Sequence, residues 1–217
     1  MQLSSHALVD GGVLDEDFAF ATLQPPDRIR FADNCSPPLT WTGLPEGTRS
    51  LALVCVDSDA PQTPGQANRD DVEIAAGAPR GPFFHRVMVD LDPALGELAA
   101  GACGAGVVER GKADPPGPAA ARQGLNDYTG HFASDPRMAG RYRGYDGPCP
   151  PWNDALPHRY HFTLYALDLE RCPLPGTDFS GQEVLSAIRG HILGKSAVTV
   201  RYSLNPRVMA ELVPGGS

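Results

Sequence analysis

The stretch LALVCVD, Leu51–Asp57, is apolar at every position up to its closing acid. A short continuous apolar run of this kind, rich in Leu and Val, predicts a strand buried on both faces. Phe83–Leu91 (FFHRVMVDL) and Tyr160–Leu167 (YHFTLYAL) predict two more. Val198–Leu204 (VTVRYSL) alternates apolar and polar residues, the pattern of a half-exposed strand. Weaker strands are expected near Phe18–Leu23 and Ser50. One helix is signalled by a capping box, Ser180 with Glu183, followed by Val184, Leu185, Ile188 and Ile192 at helical spacing, with Gly194 as its stop. Its expected place is an edge or end of the sheets. The connections Gln62–Pro82 and Ala94–Arg143 are long and rich in Gly, Pro and Asp, a pattern of functional or disordered loops. Together these features predict a mostly β protein: a Greek-key β-sandwich with one or two C-terminal helices and long loops, forming a single domain over residues 1–217.

Composition narrows the function. The net charge of −8 opposes nucleic acid and anionic membrane surfaces, so any anion must be held by a local site. The five cysteines, Cys35, Cys55, Cys103, Cys149 and Cys172, form no C-x-x-C pair, which argues against a zinc ribbon or a disulfide framework. The start MQLSSHALVDGG has neither a basic nor an apolar leader region, and no apolar run has membrane-spanning length. A reduced, cytoplasmic protein without a cofactor and without stable membrane insertion is the expectation.

Chemistry concentrates at three places. Asp57-Ser58-Asp59-Ala60-Pro61 follows the first strand, and two acids around one serine are more than a turn requires. His85 lies within a strand that can neighbour Asp57, and a carboxylate beside an imidazole fixes its tautomer and raises its pKa. Pro148, Pro150 and Pro151 stiffen the chain shortly before His158-Arg159-Tyr160. A wall that is already rigid loses little entropy when a ligand binds. The segment Gly106–Lys112 matches G-x-x-x-x-G-K, but Ala113 and the following Asp114-Pro115-Pro116 rule out a phosphate-binding loop.

These residues resemble the phosphatidylethanolamine-binding protein family, in its bacterial and archaeal Raf-kinase-inhibitor-like branch. The resemblance runs from Ser36-Pro37-Pro38-Leu39-Thr40-Trp41 through LALVCVDSDAP, Phe84-His85, GYDGPCPP and HRYHFTLYALDL to Ala187–Leu193. It implies a β-sandwich with a small anion pocket at one end of the large sheet, formed by Asp57, His85, Pro151, His158 and Tyr160. It also implies that Asp59 and Arg159 form a supporting pair behind these. It further implies a small anionic ligand such as phosphate or a phosphorylated headgroup, inhibition or binding of a kinase or protease partner, and a homodimer. Two departures stand out. Ser58 replaces the usual proline between the acids, and Arg86 replaces a tryptophan common after the histidine. Arg86 is expected to point away from His85, because strand neighbours face opposite sides.

The leading reading is a non-enzymatic binding protein in which Asp57 holds a histidine protonated. The alternative is a metal-dependent enzyme whose two histidines and one carboxylate, His85, His158 and Asp57, form a facial triad. A hydrolase using Ser58 ranks lower, because the flanking acids disfavour an alkoxide.

Overall fold

The computed structural model describes residues 1–63 and 65–213. Its largest sheet has five antiparallel strands in the order β10-β9-β5-β6-β8: β5 (Ser50–Pro61), β6 (Arg80–Leu91), β8 (Arg122–Gln123), β9 (His158–Leu167) and β10 (Ile192–Tyr202). A three-stranded sheet, β1 (Gln2–Ser4), β4 (Leu39–Thr42) and β7 (Glu97–Leu98), covers one face of it. A short hairpin, β2 (Ala21–Leu23) and β3 (Ile29–Phe31), stands beside them. The helices are short: α1 (Tyr128–His131), α2 (Gly181–Ala187) and α3 (Pro206–Leu212). No helix among the described residues is long and apolar enough to cross a membrane.

The period of two along a strand explains the layers. Leu51, Leu53 and Cys55 of β5 stand opposite Ala166, Leu164 and Phe162 of β9, and all six enter the core against Leu39, Trp41 and Leu98 of the smaller sheet. The intervening Ala52 and Val54 face the other way, into a second core with Phe84, Val87 and Val89. Val184 of helix α2 and Ile188 at its C-terminal cap close that second core. The helix therefore lies on the outer face of the sheet, not at an edge. Gly181 at its start has no room for a Cβ against the Phe84 ring, so the helix seats tightly on β6.

The structure corrects two boundaries. The run Asp57–Pro61 is not a turn but the continuation of β5, which pairs with β6 as far as Arg80. The capping box at Ser180 forms, yet α2 ends at Ala187. Gly190 then takes a left-handed conformation, φ 88°, and Ile192 opens β10 instead of extending the helix. Residues 94–143 carry more structure than a loop reading suggests, since β7, β8 and α1 all lie there.

Candidate functional site

The alternation that builds the core also builds the site. One step beyond Cys55 on the same face is Asp57, paired in register with Tyr160, and two residues before Tyr160 is His158. These three inward positions lie past the end of the apolar core, and they are 3 %, 0 % and 1 % exposed. His85 arrives from β6 through a bulge. Cys55 pairs with Arg86 and Val56 with Phe84, which leaves His85 as the extra residue. The bulge corrects the expectation for Arg86. Both His85 and Arg86 turn inward, the former beside the Tyr160 ring at 5.2 Å and the latter over the Tyr145 ring at 5.2 Å. Arg86 is fully buried, and none of its three guanidinium nitrogens has a hydrogen-bond partner among the described residues.

Asp57 partners His158 rather than His85. His158 Nδ1 donates to Asp57 Oδ2 at 2.7 Å, and His158 Nε2 donates to Asp154 Oδ2 at 3.1 Å. A ring that donates from both nitrogens is an imidazolium. Burial works against that charge, but the hydrogen bonds to Asp154 and Asp57 outweigh it and raise the His158 pKa to about 9. Arg80 closes the cluster with a two-pronged contact to Asp154, 2.6 and 3.0 Å, and with a bond to the Asp59 carbonyl oxygen at 2.9 Å. Burial also opposes ionisation of Asp154, yet its bonds to His158 and Arg80 hold its pKa down. The second Asp57 oxygen accepts from the Asp59 backbone N–H at 2.7 Å, so Asp57 ties the end of its own strand and the histidine together.

Asp59 and Arg159 form the expected pair. The Arg159 backbone N–H, Nε and one terminal nitrogen reach the Asp59 carboxylate at 2.9, 2.8 and 2.7 Å. Burial pushes the Asp59 pKa up, and the Arg159 bonds pull it further the other way, to about 2. Ser58 contacts His161 Nε2 at 3.1 Å, but neither residue lines the cavity described below.

His85 is the opposite of His158. Its Nδ1 donates to the Asp146 carbonyl oxygen at 2.8 Å, which leaves Nε2 as a lone-pair acceptor in the neutral ring. Burial lowers its pKa, and the attraction of Asp57 and Asp146 does not overcome this. Asp146 is itself fixed. Lys112, Asn34 and Asn126 donate to its carboxylate at 2.5, 2.8 and 2.9 Å. Lys112, the end of the false phosphate-loop match, is thus a buried brace. Asn34 and Tyr128 also hold Gly147, and Phe20 N–H donates to the Pro148 carbonyl at 2.9 Å. The proline-rich wall is therefore pinned by side chains as well as stiffened by its rings.

A cavity of about 620 Å³ opens over this end of the sheet. Asp57, His85, Pro151, His158 and Tyr160 all line it, so the five positions implied by resemblance converge. Tyr160 is fully buried there, and its hydroxyl has no hydrogen-bond partner among the described residues. The cavity exceeds a headgroup site, because Phe20, Phe31, Phe83, Tyr128 and Phe132 form a further wall. Sequence reading missed these aromatics and also Asp154 and Arg80. An acid four residues before His158 was the only local signal. Among the described residues no group of three or more His, Cys, Asp or Glu is arranged to hold a metal ion. The facial triad meets a physical obstacle, since both nitrogens of His158 are committed to carboxylates.

The fold is a β-sandwich whose large sheet brings two buried histidines and a carboxylate to one cavity. Residues 4–203 match the sequence profile of the phosphatidylethanolamine-binding protein family, and the chain belongs to that family. It is 31 % identical to a UPF0098 protein of Methanothermobacter thermautotrophicus, over 93 % of this chain and 98 % of that one. It is 30 % identical to the UPF0098 protein YbhB of Escherichia coli, over 94 % and 100 % of the two chains. The crystal structure of E. coli YbcL, described as a new member of the mammalian PEBP family, superposes with a TM-score of 0.65 at 27 % identity, covering 93 % of this chain and 97 % of that one.

Proposed function

We propose that this protein binds, without turning over, a small molecule through a phosphate or carboxylate head, and that binding draws a proton onto His85. The observation that carries the reading is the Tyr160 hydroxyl, buried beside an imidazole in the cavity floor and without a partner among the described residues. A buried hydroxyl without a partner is costly, and an anionic oxygen would satisfy it. His85 is neutral when free, because burial depresses its pKa. An anion next to it reverses that balance and makes Nε2–H a donor. His158 does not supply the pH response, since it is already charged and fully engaged by two carboxylates.

The test is calorimetry with inorganic phosphate and phosphoethanolamine, run at pH 6 and pH 8 in buffers of different ionisation heat. The expected result is proton uptake on binding that exceeds the uptake by His85→Gln with the same ligand, and a larger gain in affinity at pH 6 over pH 8 than that variant shows, because the ligand's own phosphate also titrates between these pH values. Tyr160→Phe should weaken binding roughly tenfold, the scale of one hydrogen bond to a charged group. His85→Gln should leave only the pH dependence that the ligand's own phosphate brings. Binding that is indifferent to pH and to both substitutions would refute the assignment.

A further inference from the structure

We infer that the ligand of this cavity carries an aromatic or branched apolar body on its anionic head, and that residues 20–31 and 128–138 form the subsite for that body. The inference rests on the head-group reading above and extends it to the remainder of the cavity. At about 620 Å³ the cavity is of the size that encloses a drug-sized molecule, far more than a phosphate requires.

The extra volume is not polar. Phe20 stacks on Tyr128 with ring centres 4.7 Å apart, Phe83 meets Tyr128 edge-on at 5.2 Å, and Tyr128 stacks on Phe132 at 5.5 Å. Phe31 meets Phe20 edge-on at 5.5 Å, yet it remains 58 % exposed. Phe20 and Tyr128 are buried, so the stack is a core with one side left open to the cavity. Exposed rings at the lip of an aromatic wall offer apolar area that a ligand can cover. His131 sits in the same wall, and burial lowers its pKa, so it adds a ring rather than a charge. The charges that remain, Asp135 and Arg137, stand at the rim, where Arg137 pairs with Glu109 at 2.6 Å.

The wall is also preorganised for a flat partner. Asp127 accepts from the Phe84 N–H at 2.8 Å and anchors the start of α1 to β6, while the Tyr128 hydroxyl is held by the Gly147 carbonyl at 2.7 Å. The rings are therefore in place before a ligand arrives, and stacking against it costs little ordering entropy. Chemically, the preferred class is an aryl or similarly bulky apolar phosphate or carboxylate.

The experiment compares inorganic phosphate, 1-naphthyl phosphate and 1-naphthol, each titrated into the wild type and into Phe31→Ser. Phe31 is exposed, so its replacement should leave the fold intact. Naphthyl phosphate should bind roughly 30-fold tighter than phosphate or better, since its ring system removes its own area and that of the wall from water. Phe31→Ser should weaken naphthyl phosphate about threefold or more and leave phosphate unchanged. Equal affinity for phosphate and naphthyl phosphate would overturn the apolar subsite and leave the head-group reading standing. Naphthol binding in the absence of any phosphate binding would overturn the head-group reading and keep the aromatic wall. If none of the three binds, both fall.

Discussion

The buried Asp57–His158–Asp154 cluster makes a quantitative prediction about stability and pH. Folding raises the His158 pKa from an ordinary value near ~6.5 to about 9. A raised histidine contributes stability that is complete below the unfolded pKa and is lost as pH climbs through the folded one. The full contribution is on the order of 3 kcal/mol, and about 2 kcal/mol of it should disappear between roughly pH 7 and pH 8.5. That window is chosen because His85, His131 and His161 are quiet in it. Burial lowers the pKa of His85, His131 and His161, so they make stability fall only as pH drops below about 6.5. Burial raises the pKa of Cys55 and Cys149, so their unfolded thiols add a loss toward the alkaline end. A variant that lacks only His158 shares that loss, which therefore cancels in the comparison. The assay is urea unfolding at fixed ionic strength at both pH values, on the wild type and His158→Gln. The variant should be weaker by roughly 3–5 kcal/mol, because a buried carboxylate loses its partner. The decisive quantity is the change with pH, about 2 kcal/mol larger in the wild type. Should His158→Gln fail to fold, Asp154→Asn offers a milder arm in which the alkaline loss shrinks. Equal pH slopes in wild type and variant would show that His158 is not held charged by its two acids.

Two further predictions follow from the same interior. Arg86→Met should stabilise the protein by about 1–4 kcal/mol in urea unfolding, because it replaces a buried guanidinium without hydrogen-bond partners by an apolar chain; a loss of stability would mean that the stack on Tyr145 outweighs desolvation. Gly147→Ala should destabilise by roughly 1–3 kcal/mol or more and weaken ligand binding, since a Cβ there collides with the Phe18 carbonyl and displaces the wall that orients His85; unchanged melting and binding would show that the wall is not tightly seated.

The sheet and its inward residues were legible because period two leaves little choice. Once Leu51, Leu53 and Cys55 are inward, Asp57 is inward too, and β9 brings Tyr160 and His158 with it. A bulge breaks that rule, and it explains why Arg86 was expected on the wrong face. A bulge leaves no pattern in a run such as FFHRVMVDL, since every residue of it can be buried on either side. The ends of α2 and β10 were obscured for a similar reason. Ile192 fits both a helical and an extended period, and only the left-handed Gly190 decides between them. The braces were the least readable. Lys112, Asn34 and Asn126 meet Asp146 from three distant parts of the chain, and nothing local in any of them points to the others. The aromatic wall is likewise assembled from Phe20, Phe31, Phe83, Tyr128 and Phe132, which form no motif together.

This division has a physical consequence for how the site can vary. The floor is held by strand register and by buried charge pairs. Changing Asp57 or His158 alone strands the remaining partner in the interior, so the floor resists substitution one residue at a time. The walls answer to different constraints. Gln66 and Val72 are joined to the proline-rich wall by Asn153, whose side chain donates to their carbonyls at 2.7 and 2.8 Å. The 128–138 wall is joined to it by the Tyr128 hydroxyl. Both lie outside the large sheet and rest on it, so ring size and rim charge can change there while the sheet residues stay in place. On the proposed reading, selectivity for the body of the ligand would reside in residues 20–31 and 128–138, and affinity for its head in the sheet. Exchanging Phe31 should then alter which molecules bind, whereas exchanging Tyr160 should alter how tightly all of them do.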